Sequence, residues 1–451
     1  MKSLILFPAL VATAFAQEKT LDLTNPANYA NQPVPAYITK DNTPVDNEIT
    51  DLGATLGRVL FYDKRLSRNN TVSCSSCHDQ GNGFSDTATA STGVAGTTGR
   101  HSMRLINARF ATEAKFFWDE RAASVEAQAT QPIQDHVEMG FSGTLGDPSF
   151  PDLAAKLAAI EEYQVLFQGV FGDTVVSEQR IGKAIAQFVR SLQSFDSKYD
   201  AGRAVRNDNQ AFPNFTASEN AGKALFLAPP NQGGAGCAGC HRPPEFDIDP
   251  NSGNNGLVSK IGGGTDTTNT RSPGLRDLVD ASGTPHGGFM HDGSLPTLLS
   301  VINHYNTIPA VVAGIDPRLT RQGGQQPQRL NLSTQQKTDL EAFLRTLTGS
   351  SVYTDGKFSS PFNEDDTLAV VILPGDPAEM TFSEAGGSEN VTLRATGVPN
   401  VGYLFQTSPD LVNWTSATIN ASATGVLEMT VPKTEGEDTL FYRFAYGVSA
   451  D

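Results

Sequence analysis

Cys74-Ser75-Ser76-Cys77-His78 and Cys237-Ala238-Gly239-Cys240-His241 contain all four cysteines of the chain. Both stretches read C-x-x-C-H, the spacing at which two thiols add across the vinyl groups of a porphyrin and the next imidazole falls beneath the iron. Covalent attachment of one haem c at each motif is the reading these residues support. Two disulfides in an oxidising compartment, or one zinc held by four thiolates, are the alternatives. With four cysteines and seven histidines in 451 residues, one chance C-x-x-C-H is on the order of 10⁻³ and two are far rarer.

Working outward, a similar helical lead precedes each motif: Leu56-Gly57-Arg58-Val59-Leu60-Phe61 and Ala221-Gly222-Lys223-Ala224-Leu225-Phe226. This reads as an internal duplication. Helix signals run to about residue 349. Ile181, Ala184, Ile185, Phe188, Val189 and Leu192 follow i, i+3, i+4 spacing behind an N-cap at Ser177. Ser333-x-x-Gln336 opens a second helix as a capping box; it buries Leu340, Phe343, Leu344 and Leu347 and is expected to stop at Gly349. Gly- and Asn-rich stretches at 91–99, 231–236 and 250–270 have no period and read as loops. After a polar stretch over 351–366, read as a linker, short apolar runs at 368–373, 391–395, 403–407 and 441–445 alternate with turn residues. The expected fold is multidomain: two tandem, mainly α cytochrome c-type domains over 17–200 and 201–350, then a small all-β sandwich over 367–451. Gln406 to Trp414 and Phe441-Tyr442-Arg443 resemble the sandwich modules at the C-termini of exported bacterial proteins.

The opening MKSLILFPALVATAFAQ combines one Lys, an apolar run and Ala14-Phe15-Ala16 as a small-x-small cleavage site. A signal peptide over 1–16 and a periplasmic or secreted protein are predicted. No later stretch approaches the roughly 20 apolar residues a membrane helix needs, so no membrane span is expected. A formal charge of −16 offers phosphate no attraction, which argues against a nucleic-acid partner.

Four further stretches follow in order: Leu60-Phe61-Tyr62-Asp63-x-Arg65-Leu66-Ser67, Phe117-Trp118-Asp119-Glu120-Arg121-Ala122, Glu138-Met139-Gly140 and Met290-His291-Asp292-Gly293-Ser294. Over roughly residues 45–349 the chain resembles the bacterial dihaem cytochrome c peroxidases. The resemblance implies two haems c, attached at Cys74/Cys77 and Cys237/Cys240 with His78 and His241 as proximal iron ligands. It makes the N-terminal haem the one that reacts with hydrogen peroxide, Glu138 its acid/base and Trp118 the aromatic residue between the haems. A carboxylate suits the task, because peroxide must lose a proton from one oxygen and gain one on the other. Gln128 and Pro132 match distal-pocket positions of the MauG-like branch, whose members oxidise a residue of a partner protein. Read alone, Glu138 would be a solvated surface residue, Trp118 a core aromatic, and Gln128 and Pro132 a helix surface and a kink.

Two departures bear on the branch. Where other members carry a removable sixth His ligand at the first haem, this chain has Val94, which predicts an open position there. Where others place an axial Met at the second haem, it has Tyr305, as MauG-like enzymes do; a phenolate donor lowers a haem potential whereas Met raises it. Met290 and His304 remain competing ligands. The family also implies calcium between the haems, but its Asn ligand position falls on His101, a poor ligand for a hard cation. His101 is left to hydrogen-bond a propionate or approach the first iron, and His136, His286 and His304 default to surface or supporting roles. Three functions stay open: peroxide reduction fed by a small cytochrome or cupredoxin, peroxide-dependent oxidation of Tyr or Trp in a partner protein, and simple electron carriage by a dihaem cytochrome.

Overall fold

Two helix pairs repeat along the chain, and a glycine sets the spacing in each. The computed structural model describes residues 19–112, 115–247, 250–373, 381–385, 388–432 and 440–447; the predicted leader lies outside the described residues. Within them run helices α1 (Asp51–Tyr62), α2 (Val125–Gln134), α3 (Phe150–Ala158), α4 (Glu161–Phe171), α5 (Glu178–Ser191), α6 (Lys198–Arg203), α7 (Ala217–Leu227), α8 (Leu298–Asn306) and α9 (Thr334–Arg345). A Cβ on Gly57 of α1 would lie 1.9 Å from the Ala184 carbonyl oxygen of α5 and 2.9 Å from Phe188 Cβ. A Cβ on Gly222 of α7 would lie 1.8 Å from the Asp339 oxygen of α9 and 2.9 Å from Phe343 Cβ. Only glycine permits so close an approach of two backbones. One turn on, Phe61 meets Phe188 and Phe226 meets Phe343, each pair at 5.2 Å between ring centroids and 60° between planes.

The expected caps form. Ser177 Oγ accepts from Arg180 N at 3.3 Å, and Ser333 and Gln336 close a capping box on α9. Helix α9 ends at Arg345, short of the expected Gly349, because the Thr346 hydroxyl donates to the Phe343 carbonyl at 2.6 Å and Gly349 N turns away to Asp277 Oδ1 at 2.8 Å.

Besides the helices the structure holds a β-sheet region. One sheet orders its strands Thr20–Asp22, Val370–Ile372, Phe441–Tyr446, Gly402–Ser408, Thr415–Asn420; the other orders Val426–Pro432, Ser388–Thr396, Thr381–Ala385. The first strand pairs parallel to Val370–Ile372, with Thr20 opposite Val370, so a segment read with the first haem domain sits in this sheet. One buried cluster joins Phe61, Phe188 and Ile185 of the first half to Val371, Phe405 and Phe444 of the sheets. The second half holds its own cluster around Tyr199, Phe226, Phe246 and Phe343.

The 351–366 stretch is packed chain. Phe358 is 2% exposed and meets the Tyr29 and Phe188 rings. Tyr62 donates to Phe358 O at 2.7 Å, and Arg58 donates to Lys357 O at 3.0 Å. Polar composition hid three buried anchors there, Val352, Phe358 and Phe362.

Candidate functional site

Each C-x-x-C-H stretch begins as one 3-10 turn, Cys74–Ser76 and Cys237–Gly239. The turns match: His78 N donates to Cys74 O and His241 N to Cys237 O, both at 3.0 Å. None of the four cysteines is in a disulfide, and the pairs line separate cavities, about 560 Å³ at Cys74, Cys77 and His78 and about 460 Å³ at Cys237, Cys240 and His241. That separation rules out one zinc held by all four. Among the described residues no group of three or more His, Cys, Asp or Glu is placed to hold a metal by itself. The His78 Nδ1 proton goes to Phe84 O at 3.0 Å, which leaves Nε2 with its lone pair open, the state an iron ligand needs. Burial pushes the Cys74 and Cys237 thiols up to about 12.

Glu138, Gln128 and Pro132 line the first cavity together. Pro132 lies within α2, one turn beyond Gln128, so both occupy one face, and its missing N–H weakens the last turn. The helix closes with Asp135 N on Pro132 O at 3.2 Å. Asp135 Oδ1 then accepts from Val137 N at 2.8 Å and Glu138 N at 3.0 Å, while Gly140 N returns to Asp135 O at 2.8 Å. Gly140 has φ +78°, and a Cβ there would meet Arg68 Cδ at 2.6 Å, which explains the glycine after Glu138-Met139. From the other side Val94 N donates to Glu138 O at 3.0 Å and Ala95 N to Val137 O at 3.1 Å. The loop expected to carry a ligand in other members thus pins the backbone of Glu138 here. Burial, aided by Asp135 and opposed by Arg121, raises the Glu138 carboxyl to about 7.

Trp118 lines both cavities, as do His101 and Arg104. A bridge between Phe116 and Ala122 closes the loop that presents it, with Phe117 at φ +71° and Glu120 at φ +58°. Non-glycine residues held there carry backbone strain; Arg121 stacks over the Phe117 ring at 3.6 Å. Trp118 Nε1 donates to His101 O at 2.8 Å, and its ring meets His291 edge-on at 6.3 Å.

Tyr305, on α8, and Met290 both line the second cavity. Asn255 reaches both, its amide 3.3 Å from Met290 Sδ. Burial holds the Tyr305 phenol well above its ordinary range, and the nearby Cys240 and Cys237 thiols add to this. His304, a competing ligand by sequence, does not line the cavity and contacts Asn255 O through Nε2 at 2.9 Å. His136 pairs with Asp147 at 2.7 Å and His286 with Tyr353 at 3.1 Å.

The pattern described as di-haem cytochrome c peroxidase matches residues 52–210. The methylamine utilization protein MauG of Methylophilus methylotrophus is 31% identical over 347 residues, which cover 74% of this chain and 94% of that one. The chain belongs to the di-haem cytochrome c peroxidase family. The cytochrome c551 peroxidase of Nitrosomonas europaea is a further relative, 33% identical over 220 residues, 48% of this chain and 57% of that one. A solved MauG-like protein associated with microbial copper homeostasis matches with a TM-score of 0.57 at 29% identity, over 73% of this chain and 99% of that one.

Members of the di-haem peroxidase family are oxidoreductases with two haems c, and two cavities, each with its thiol pair and histidine, fit that requirement. Calcium does not fit: His101 brings no side-chain oxygen, and its Nδ1 is engaged with Ala88 O at 3.0 Å. No helix among the described residues is long and apolar enough to cross a membrane. Sequence reasoning missed Asp135, Asn255, Arg104 and Arg271 at these walls. None belongs to a motif, and only the fold brings them there.

Proposed function

We propose that the first cavity reduces hydrogen peroxide to water, drawing two electrons and two protons, with electrons relayed from an external small cytochrome or cupredoxin through the second haem site and Trp118. The observation that supports this reading is Glu138: a carboxyl lining the cavity of the first C-x-x-C-H motif and raised by burial to about 7, where it exchanges a proton at neutral pH. Haem c supplies, when bound, the iron at which peroxide is reduced. Glu138 moves a proton from one peroxide oxygen to the other, which leaves as water. Gln128 orients the peroxide with its amide, and Pro132 keeps a competing N–H out of the wall. In this reading residues 17–200 form the peroxide-reacting half, 201–350 the electron-transferring half and 367–451 a sandwich attached to the first, on an exported protein.

A second reading, withdrawal of those electrons from Tyr or Trp of a partner protein, is favoured by Tyr305 in the second cavity and by Val94, which has no ligating atom. Electronic and EPR spectra of the ferric protein, followed by stoichiometric peroxide, test both. A high-spin first haem that changes at once with peroxide supports peroxide chemistry, and a low-spin second haem without a Met-to-iron band supports Tyr305. Two low-spin, peroxide-inert haems would leave only an electron carrier. Turnover with a reduced cytochrome then separates the first reading from the second.

A further inference from the structure

We propose that Arg104 anchors propionate carboxylates of both haems and so links the two cofactors electrostatically. This rests on the reading that both C-x-x-C-H motifs carry haem c, not on which substrate is oxidised.

Arg104 lies on the wall that the two cavities share. Among the described residues its guanidinium has no hydrogen bond and no ion pair, and its Nε is buried without a partner. Three other arginines at the first cavity differ: Arg100 pairs with Asp119 and Asp266, Arg121 with Asp119, and Arg276 with Asp200. The acid within electrostatic reach of Arg104 is Asp277; its Oδ1 accepts from Gly349 N and the Tyr353 hydroxyl, and its Oδ2 makes no hydrogen bond to Arg104 or to any other described residue. Burial lowers Arg104 only to about 10, so it stays charged at neutral pH. A guanidinium walled off from water with none of its N–H groups hydrogen-bonded is unfavourable, and a chain that keeps one is suited to receive an anion.

Chemistry identifies the anion. Each haem c brings two propionates, and the guanidinium fork matches a carboxylate in bidentate fashion. The thiols that mark the vinyl edges, Cys74/Cys77 and Cys237/Cys240, each line one cavity only, whereas Arg104 lines both. A ring contact with Phe289 at 6.0 Å is the competing, merely structural role.

The test uses the holoprotein with Arg104→Gln and Arg104→Lys. Haem content is counted by pyridine haemochrome, and the midpoint potential of each haem is followed by spectroelectrochemistry from pH 5 to 8. Losing a positive charge beside the propionates disfavours the reduced state, so both potentials fall in Arg104→Gln and depend more steeply on pH, with Arg104→Lys between it and wild type. Unchanged potentials with two haems bound, or a shift at one haem alone, overturn the proposal. Should neither variant mature, redox-linked infrared difference spectra of wild type with ¹⁵N-arginine decide: a label-sensitive guanidinium band on reduction of each haem supports the link, and its absence at one or both overturns it. Fewer than two haems per wild-type chain instead removes the premise.

Discussion

Helix pairs α1–α5 and α7–α9 meet through the same glycine contact and the same Phe–Phe geometry, yet the cavities beside them have different walls. The first is faced by Glu138, Asp135, Gln128 and Arg121. The second is faced by Tyr305, Met290 and a row of leucines, among them Leu298, Leu330 and Leu344. The duplicated scaffold positions a cofactor; the chemistry is set by whatever the loops opposite the histidine bring. At the first site those loops supply a carboxyl raised by burial to about 7, and at the second a buried phenol.

That contrast can be broken at Glu138. Glu138→Gln is expected to lower the rate of the peroxide reaction about 10²- to 10⁴-fold while both haems remain attached; stopped-flow mixing with peroxide measures it, and an unchanged rate would place the acid/base elsewhere. The pH profile sharpens the same point. As the base acts ionised, the rate should fall roughly tenfold per unit below about 7 and level off above it, and the variant should lose this limb. Stability runs the opposite way: a carboxyl raised in the folded state stabilises fully below its unfolded value, and this is lost as pH rises through about 7.

The shared scaffold gives matched expectations instead. Gly57→Val and Gly222→Val each force a side chain onto a facing carbonyl and should each cost at least about 1–3 kcal/mol, read as similar losses in denaturant titrations; a large cost in one half alone would mean that the repeat is only apparent. The smallest effect is spectroscopic. Tyr305→Phe should alter the absorption and EPR of the second haem and leave the first unchanged, whereas an unaltered second haem would move its sixth ligand to Met290.

The parts of the molecule readable in sequence are those governed by local rules. The cysteine spacing, the Ser177 and Ser333 caps and the Gly57 and Gly222 leads depend on neighbours within a few residues, and each reappears in the fold. What escaped depends on partners far away in the chain. Nothing in Thr20–Asp22 announces a strand, because its edge is satisfied only by Val370–Ile372. The polar look of 351–366 outweighed Val352 and Phe358, whose burial needs Tyr29 and Phe188. Arg104 carries no motif, and its lack of a hydrogen-bonded partner is visible only in the folded structure.

The pairing of Thr20 with Val370 also dictates an order of assembly. The second helical half can collapse on its own core as it emerges, but the strand ahead of both halves waits for a partner made after them. Until then Leu21 and Leu23, 4% and 3% exposed in the finished fold, stay bare beside an unpaired strand edge, the kind of template that invites wrong pairing. Closing so long a loop is slow because its entropy must be met before the contacts form. The two helical halves thus lie inside a ring of chain whose clasp joins Thr20–Asp22 to Val370–Ile372.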